Sequence, residues 1–434
     1  MSTWQTDNGS VAVVTGVRTA FAKAGTSLRQ AHLTELARIV MQESLARAGW
    51  PGRSLDEVVL GNVAMPADAA NPARVAAMAA GLPMHVPALT VQRNCASGME
   101  AIADGASRIY HGQARSVLVA GAESMSNVPL LFPSETLKPV GRLFKAKTLG
   151  QKLAAVATFR PRHFRPIHGL ELGLTDPICG MVMGQTADLV GHEFGISRAQ
   201  QDEYALRSHQ RAARAMEDGD FDDQLTPVYA GKRFEPVTQD NGPRANQTMA
   251  ALAKLRPLFD RRDGTVTVGN ACQITDGAAC LLIADGKLAR AQGWQVLGHV
   301  RGYATAALDP ARMGLGPVYA IHQLLEKTGL ALDDIDLFEI NEAFASQVLG
   351  CVKAMASDRF CQDKLGRGSA IGQLDIERLN VSGGAIALGH PVGATGARIV
   401  LNLLMQMRRR GDKFGIASLC VGGGQGAAML LERM

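Results

Sequence analysis

The sequence predicts an α/β fold made of two copies of one unit, with a third region inserted between them. Three observations predict it. Short apolar runs bounded by turn residues alternate with segments of helical period. The second half of the chain repeats the order of the first. Residues 125–273 follow neither copy and read as an inserted loop domain.

In the first copy, Ser10–Val17, Val58–Val63, Ala88–Gln92 and Ser116–Ala120 read as strands, and Leu33–Ala48 and Met99–Tyr110 as amphipathic helices. In the second, Leu332–Glu339 resembles Leu55–Asn62, Leu379–Val381 resembles Leu89–Val91, and Gly415–Gly422 echoes Ser116–Ala122. The expected division is 1–124 with 274–295 for the first half, 125–273 for the insert and 296–434 for the second half. Within the insert, Ser134–His168 holds eight Lys or Arg against one acidic residue, Glu135, and is punctuated by Pro139, Pro161 and Pro166. Ser197–Gly219 reads as a long exposed helix with Ser197 as its cap.

Composition narrows the function. With a net charge of +5 over 434 residues and 5% aromatics, neither the clustered bases nor the stacking rings of a nucleic-acid binder dominate the chain. No run of about 18 apolar residues occurs, so no membrane span is expected. Met1–Ser10 lacks a signal-peptide layout. The seven cysteines form no C-x-x-C pair, so free thiols in a reducing, cytoplasmic setting and no metal site are expected.

Cys95 stands between an apparent strand and an apparent helix. Free N–H groups at a helix start favour an anion, so its pKa is expected to be depressed. A small buried cysteine filling the junction is the plain alternative. His390 is bracketed by Gly389 and Pro391 at the start of a helix expected to reach about Arg410, so it sits on a stiff turn. Cys420 precedes Gly422-Gly-Gly424, where free backbone N–H groups can aim at one point. No G-x-G-x-x-G or P-loop pattern fits there. Asn341, at the end of a strand in the second copy, caps a helix or holds a water.

Asn-Cys-Ala-Ser-Gly-Met-Glu at 94–100, Asn-Glu-Ala-Phe-Ala at 341–345, the glycine-rich run 383–397 around His390, and Cys-Val-Gly-Gly-Gly-Gln-Gly at 420–426 together resemble the thiolase family. The resemblance covers nearly the whole chain. It implies a five-layered α-β-α-β-α fold, with an insert that holds coenzyme A, and assembly as a homodimer or homotetramer. It implies that Cys95 carries an acyl group, that His390 and Cys420 move protons, and that the N–H groups of Cys95 and Gly422 form an oxyanion hole. His390 and a water held by Asn341 would face the enolate oxygen. No tightly bound cofactor is implied; CoA and acyl-CoA are substrates.

By the same resemblance, Leu174, Met183, Cys272, Ala343 and Phe344 contact pantetheine, Phe259 lies near the adenine end, and Lys232 and Arg233 meet phosphate. Cys272 departs from the family's serine. Val182 replaces a histidine of acetoacetyl-specific members, against the alternative of a biosynthetic acetoacetyl-CoA thiolase. The basic stretch is similar to that of trifunctional β-subunits. It implies contact with a membrane or a hydratase/dehydrogenase subunit, against a solvated loop that steers anionic CoA. A 3-ketoacyl synthase lacks the second cysteine, and a non-catalytic acyl-CoA carrier needs none of the three reactive side chains.

Overall fold

The computed structural model describes residues 5–6, 9–50, 55–231 and 234–433. In chain order, the first copy holds β1 (Gly9–Thr19), α1 (Leu33–Arg47), β2 (Glu57–Gly61), α2 (Pro72–Ala79), β3 (Ala88–Val91), α3 (Ser97–Tyr110) and β4 (Ser116–Ser124). The insert follows with α4 (Leu137–Lys145), α5 (Leu149–Val156), α6 (Met183–Glu193) and α7 (Arg198–Glu217). Then come β5 (Thr275–Asp285), β6 (Gly298–Ala307), α8 (Gly316–Thr328), β7 (Leu337–Ile340), α9 (Ala345–Met355), α10 (Val392–Arg410), β8 (Phe414–Val421) and β9 (Gln425–Glu432).

The duplication holds in topology but for one strand. The first sheet runs β3-β2-β4-β5-β1 and the second β7-β8-β9-β6. Leu379 bridges Phe338 in parallel at the position that β3 occupies beside β2. In both sheets the early pairs are parallel and the last two antiparallel. Val11–Val13 of β1 pairs with Gly298–Val300 of β6 and joins the two sheets edge to edge.

The repeat differs in register from the sequence pairing at one place. Asp56 Oδ2 accepts from the N–H groups of Arg115 and Ser116 at 2.8 and 2.9 Å. Asp336 Oδ2 accepts from those of Lys413 and Phe414, both at 2.8 Å. Asp336, not Asp333, is therefore the counterpart of Asp56, because Leu332–Asp334 is taken up by a 3-10 turn before the strand begins.

Alternating strand residues feed two faces of each sheet, as a strand buried on both sides requires. On the outer face of the first sheet, Leu36 and Val40 of α1 pack on Leu118 and Leu282. On the outer face of the second, Ile321 and Leu324 of α8 and Val348 of α9 pack on Ile416 and Leu430. Between the sheets lie α3 and α10, with Ile102, Ile399 and Leu403 against Leu281, Leu419 and Met429. This is the five-layered α-β-α-β-α arrangement.

The two central helices cross at backbone contact. A Cβ on Gly98 would lie 2.8 Å from Gly393 O and from Ala397 N, and one on Gly396 would lie 2.3 Å from Met99 N. Glycine at these positions brings the starts of both helices side by side.

The insert differs from its sequence reading in two ways. The basic stretch is helical: α4 and α5 form a hairpin, with Pro139 tolerated in the first turn of α4. Helix α7 is not simply exposed. Its cap Ser197 does close a box with Gln200, but Gln201, Tyr204, Ala205, Ser208 and Ala212 form a buried face. That face is built of small and polar side chains, so it carries little hydrophobic period. Among the described residues, no helix is long and apolar enough to cross a membrane.

Candidate active site

Cys95 sits in a tight turn after β3. Asn94 adopts φ 41°, a left-handed conformation that asparagine tolerates better than most residues. Ser97 closes the turn, its Oγ accepting from the Arg93 N–H at 2.9 Å and donating to the Asn94 carbonyl at 2.7 Å. The backbone N–H groups of Gly422 and of Cys95 itself are directed at the sulfur and favour its anion. Burial outweighs them and pushes the Cys95 thiol up. The expected depression is therefore not found: the helix starts two residues later, and the apolar cavity removes the water that would solvate a thiolate.

His390 lies just ahead of α10. Gly389 before it has φ 97°, and a Cβ there would meet Thr275 at 2.2 Å. The His390 N–H donates to the Gln273 carbonyl at 2.9 Å, fixing the backbone. Its Nδ1 lies 2.6 Å from Thr395 Oγ1, whose own hydroxyl donates to the Pro391 carbonyl at 3.1 Å. With that hydroxyl proton committed, Thr395 accepts from Nδ1–H, and Nε2 is left as a lone pair. Nε2 is buried and has no hydrogen-bond partner among the described residues. Burial, and then the charge of Arg398, lower the imidazole to about 3, so it is neutral near pH 7.

Cys420 is near the end of β8, where it pairs with Gly426 across the turn. Burial, and then the neighbouring Cys95, Cys351 and Cys272, push its thiol well up. Gly423 and Gly424 take φ 87° and 73° in the turn that follows, and a Cβ on Gly424 would meet Leu308 O at 2.3 Å. The Asn94 side-chain amide donates to the Gly422 carbonyl at 2.8 Å, tying the Cys95 turn to the glycine loop.

These side chains share one cavity of about 560 Å³. Cys95, His390, Cys420 and Gly422 all line it, as do Leu174, Met183, Cys272, Ala343 and Phe344. Burial, and then Cys95, push the Cys272 thiol up to about 12. Asn341 is fully buried directly after β7, its N–H held by Ser418 O at 2.9 Å, and neither amide atom of its side chain has a partner among the described residues. It does not line the cavity itself. Phe259 is also set back: it packs flat over Gly184 and edge-on to Phe344, ring centroids 6.3 Å apart. Lys232 and Arg233 lie outside the described residues.

Residues 11–287 match the family described as Thiolase, N-terminal domain, and residues 294–433 match Thiolase, C-terminal domain. The chain belongs to the thiolase family. It is 39% identical over 423 residues to a 3-ketoacyl-CoA thiolase of Citrobacter koseri, spanning 97% of this chain and 96% of that one. It superposes on the Bacillus anthracis acetyl-CoA acetyltransferase with a TM-score of 0.86 at 38% identity, covering 98% of this chain and 99% of that one. A human mitochondrial 3-ketoacyl-CoA thiolase in complex with CoA gives a TM-score of 0.84 at 34% identity, covering 98% of both chains.

The thiolase cavity also contains groups that sequence reasoning missed. Asn94 had a local signal, an asparagine at the apex of a strand–helix turn. Met125, Val128, Leu170 and Gly173, which bring the insert into the wall, had none. Neither did Glu123, a buried carboxylate in the same wall, bound to segments distant in sequence.

Proposed function

We propose that this protein cleaves 3-ketoacyl-CoA with CoA, giving acetyl-CoA and a shortened acyl-CoA through an acyl-Cys95 intermediate. The observation that carries the reading is the meeting of Cys95, the Nε2 side of His390 and Cys420 in one apolar cavity beside the N–H groups of Cys95 and Gly422. His390 Nε2 takes the thiol proton as Cys95 attacks the keto carbon. The two N–H groups receive the developing oxyanion. The carbon–carbon bond then breaks, and Cys420 protonates the acetyl-CoA enolate. The Cys420 thiolate removes a proton from incoming CoA, whose sulfur displaces Cys95, and His390 returns its proton. Asn341, with its unpaired buried amide, is suited to hold a water at the enolate oxygen.

This reading takes residues 125–273 as the region that holds CoA, with Leu174, Met183, Cys272, Ala343 and Phe344 along the pantetheine arm. It favours 3-ketoacyl-CoA degradation over acetoacetyl-CoA synthesis, supported by the substrate in the names of the relatives and by Val182. A cytoplasmic homodimer or homotetramer fits the edge strand β3, whose four residues are only half-buried. An assay of CoA-dependent acetyl-CoA release across C4 to C16 3-ketoacyl-CoA substrates tests the activity. Release that needs both CoA and the 3-keto group is expected; no release at any length refutes it.

The hairpin α4–α5 suits contact with an anionic lipid surface. Phe144 is 87% exposed, Leu149 75% and Leu137 73%, among Lys138, Arg142, Lys145, Lys147 and Lys152. Apolar side chains that insert, surrounded by bases, mark an interfacial helix. Phosphatidylglycerol vesicles are expected to sediment the protein at low salt and release it at high salt. Deletion of 134–168 with unchanged sedimentation would dismiss the membrane; retained pull-down of a hydratase/dehydrogenase subunit only by the intact chain would favour that partner instead.

A further inference from the structure

Glu123, next to last in β4, is fully buried and forms part of the cavity wall with Cys95 and His390. Among the described residues its hydrogen-bond partners are four N–H groups, and none belongs to a cation. Oε1 accepts from Asn62 Nδ2 at 2.9 Å and from the Ala64 N–H at 3.0 Å. Oε2 accepts from the Val63 N–H at 3.1 Å and from the Gly393 N–H at 2.8 Å. Gly393 is the second residue of α10, three after His390. A Cβ there would lie 2.8 Å from Glu123 Oε2, so the carboxylate reaches the helix start only because position 393 is glycine.

An N–H cannot accept a proton-bearing partner, so four such donors complement an ionised carboxylate and offer nothing to a carboxyl proton. The start of a helix adds a favourable field for the anion. Burial works the other way and lifts Glu123 to about 7. The reaction scheme above gives this buried carboxylate no proton to carry.

We propose that Glu123 is a positioning residue of the reaction: it clamps the start of the His390 helix to the Asn62–Ala64 wall and, once ionised, places a negative charge in the cavity wall it shares with Cys95. The proposal rests on reading Cys95 as nucleophile and His390 as base. The clamp holds Nε2 against the cavity, since His390 and Gly393 belong to one turn. Burial, and to a lesser degree this charge, oppose a free thiolate, so Cys95 stays a thiol until His390 receives its proton. Among the described residues, the other titratable groups lining the cavity are Cys95, Asp176, Cys272, His390 and Cys420. Asp276 on the adjacent β5 turns its carboxylate to Ser126. Glu100 of α3 is engaged by Arg93 and Tyr303, and Arg398 lies farther along α10, facing Glu339.

The test is the rate of Cys95 alkylation by iodoacetamide against pH, read by peptide mapping, beside steady-state thiolysis. In Glu123→Gln the alkylation midpoint is expected to fall by about one pH unit, giving about tenfold faster labelling between the Glu123 ionisation near neutrality and the Cys95 midpoint. Turnover should drop about tenfold or more as the helix start loosens. In Glu123→Asp the charge remains, so the midpoint stays at the wild-type value while turnover falls. A wild-type midpoint in Glu123→Gln overturns the charge role, and unchanged kcat in both variants overturns the clamp. If Glu123→Gln does not fold by circular dichroism, the wild type decides: its profile should show two ionisations, the lower near neutrality, and a single step overturns the proposal. Wild-type Cys95 that neither alkylates nor takes an acyl group from 3-ketoacyl-CoA would strike the underlying reading instead.

Discussion

Cys95→Ser is expected to lower steady-state thiolysis by at least about 10³-fold, with the fold unchanged. The substitution keeps the turn, because the Asn94 conformation and the Ser97 bonds that shape it do not involve the sulfur. What changes is the nucleophile. His390 is lowered to about 3 and is a weak base at rest, so it can only accept a proton as the new bond forms. A thiol supports that concerted transfer because a developing thiolate is polarizable and stable; a hydroxyl of far higher pKa, in a site built for sulfur, supports it far less. The N–H groups of Cys95 and Gly422 remain, so residual activity reflects the oxyanion site alone. Wild-type turnover in this variant, with circular dichroism unchanged, would remove Cys95 from the mechanism.

Cys420→Ala should separate the two halves of the reaction. Acylation of Cys95 by an acyl-CoA expels CoA, a thiolate that leaves without full protonation, so labelling of Cys95 by acyl-CoA partly survives. Making or breaking the carbon–carbon bond requires a proton to move at carbon. That step loses its acid/base, and overall turnover falls by about 10²–10⁴-fold. Burial, and then the neighbouring thiols, hold Cys420 protonated, the form needed to give a proton to the enolate. Mass spectrometry of the acyl-enzyme beside steady-state thiolysis reads both quantities. Equal retention of both would exclude the acid/base role.

The duplicated α/β plan was legible because each buried strand is a short apolar run and the order of runs repeats. The register of the repeat was not. Leu332-Asp-Asp334 imitates Leu55-Asp-Glu57 in residue type, yet it forms a 3-10 turn, and only the paired caps at Asp56 and Asp336 reveal the true equivalence. The buried face of α7 was invisible for a different reason. Tyr204 and Ser208 point inward to hydrogen-bond Glu342 at 3.0 and 2.6 Å, so burial there is polar.

At the site, Cys95, His390 and Cys420 stood out because glycine, proline and strand ends surround them. The electrostatics did not follow from that local reading. A helix start lowers a thiol only where its N–H groups outweigh the cost of burial, and the burial here depends on walls contributed by residues near 65, 125, 170 and 344. Glu123 carries no local signal at all. Its four donors come from Asn62–Ala64 and from Gly393, brought together only by the pairing of β2 with β4 and the crossing of α3 with α10.

That crossing has a mechanical consequence. Where main chain rests on main chain at Gly98, Gly393 and Gly396, no rotamer can yield, and packed interiors compress little. The two halves cannot rock against each other without driving backbone into backbone, and any such movement would carry Cys95 and His390 with it. The reacting centre therefore behaves as a fixed anvil. Admission of substrate and departure of product fall to the thin outer wall, where Gly169 to Leu174 close the cavity with side chains and short helix rather than with core. Changes in acyl preference among such enzymes should collect in that wall and leave the glycine crossing untouched.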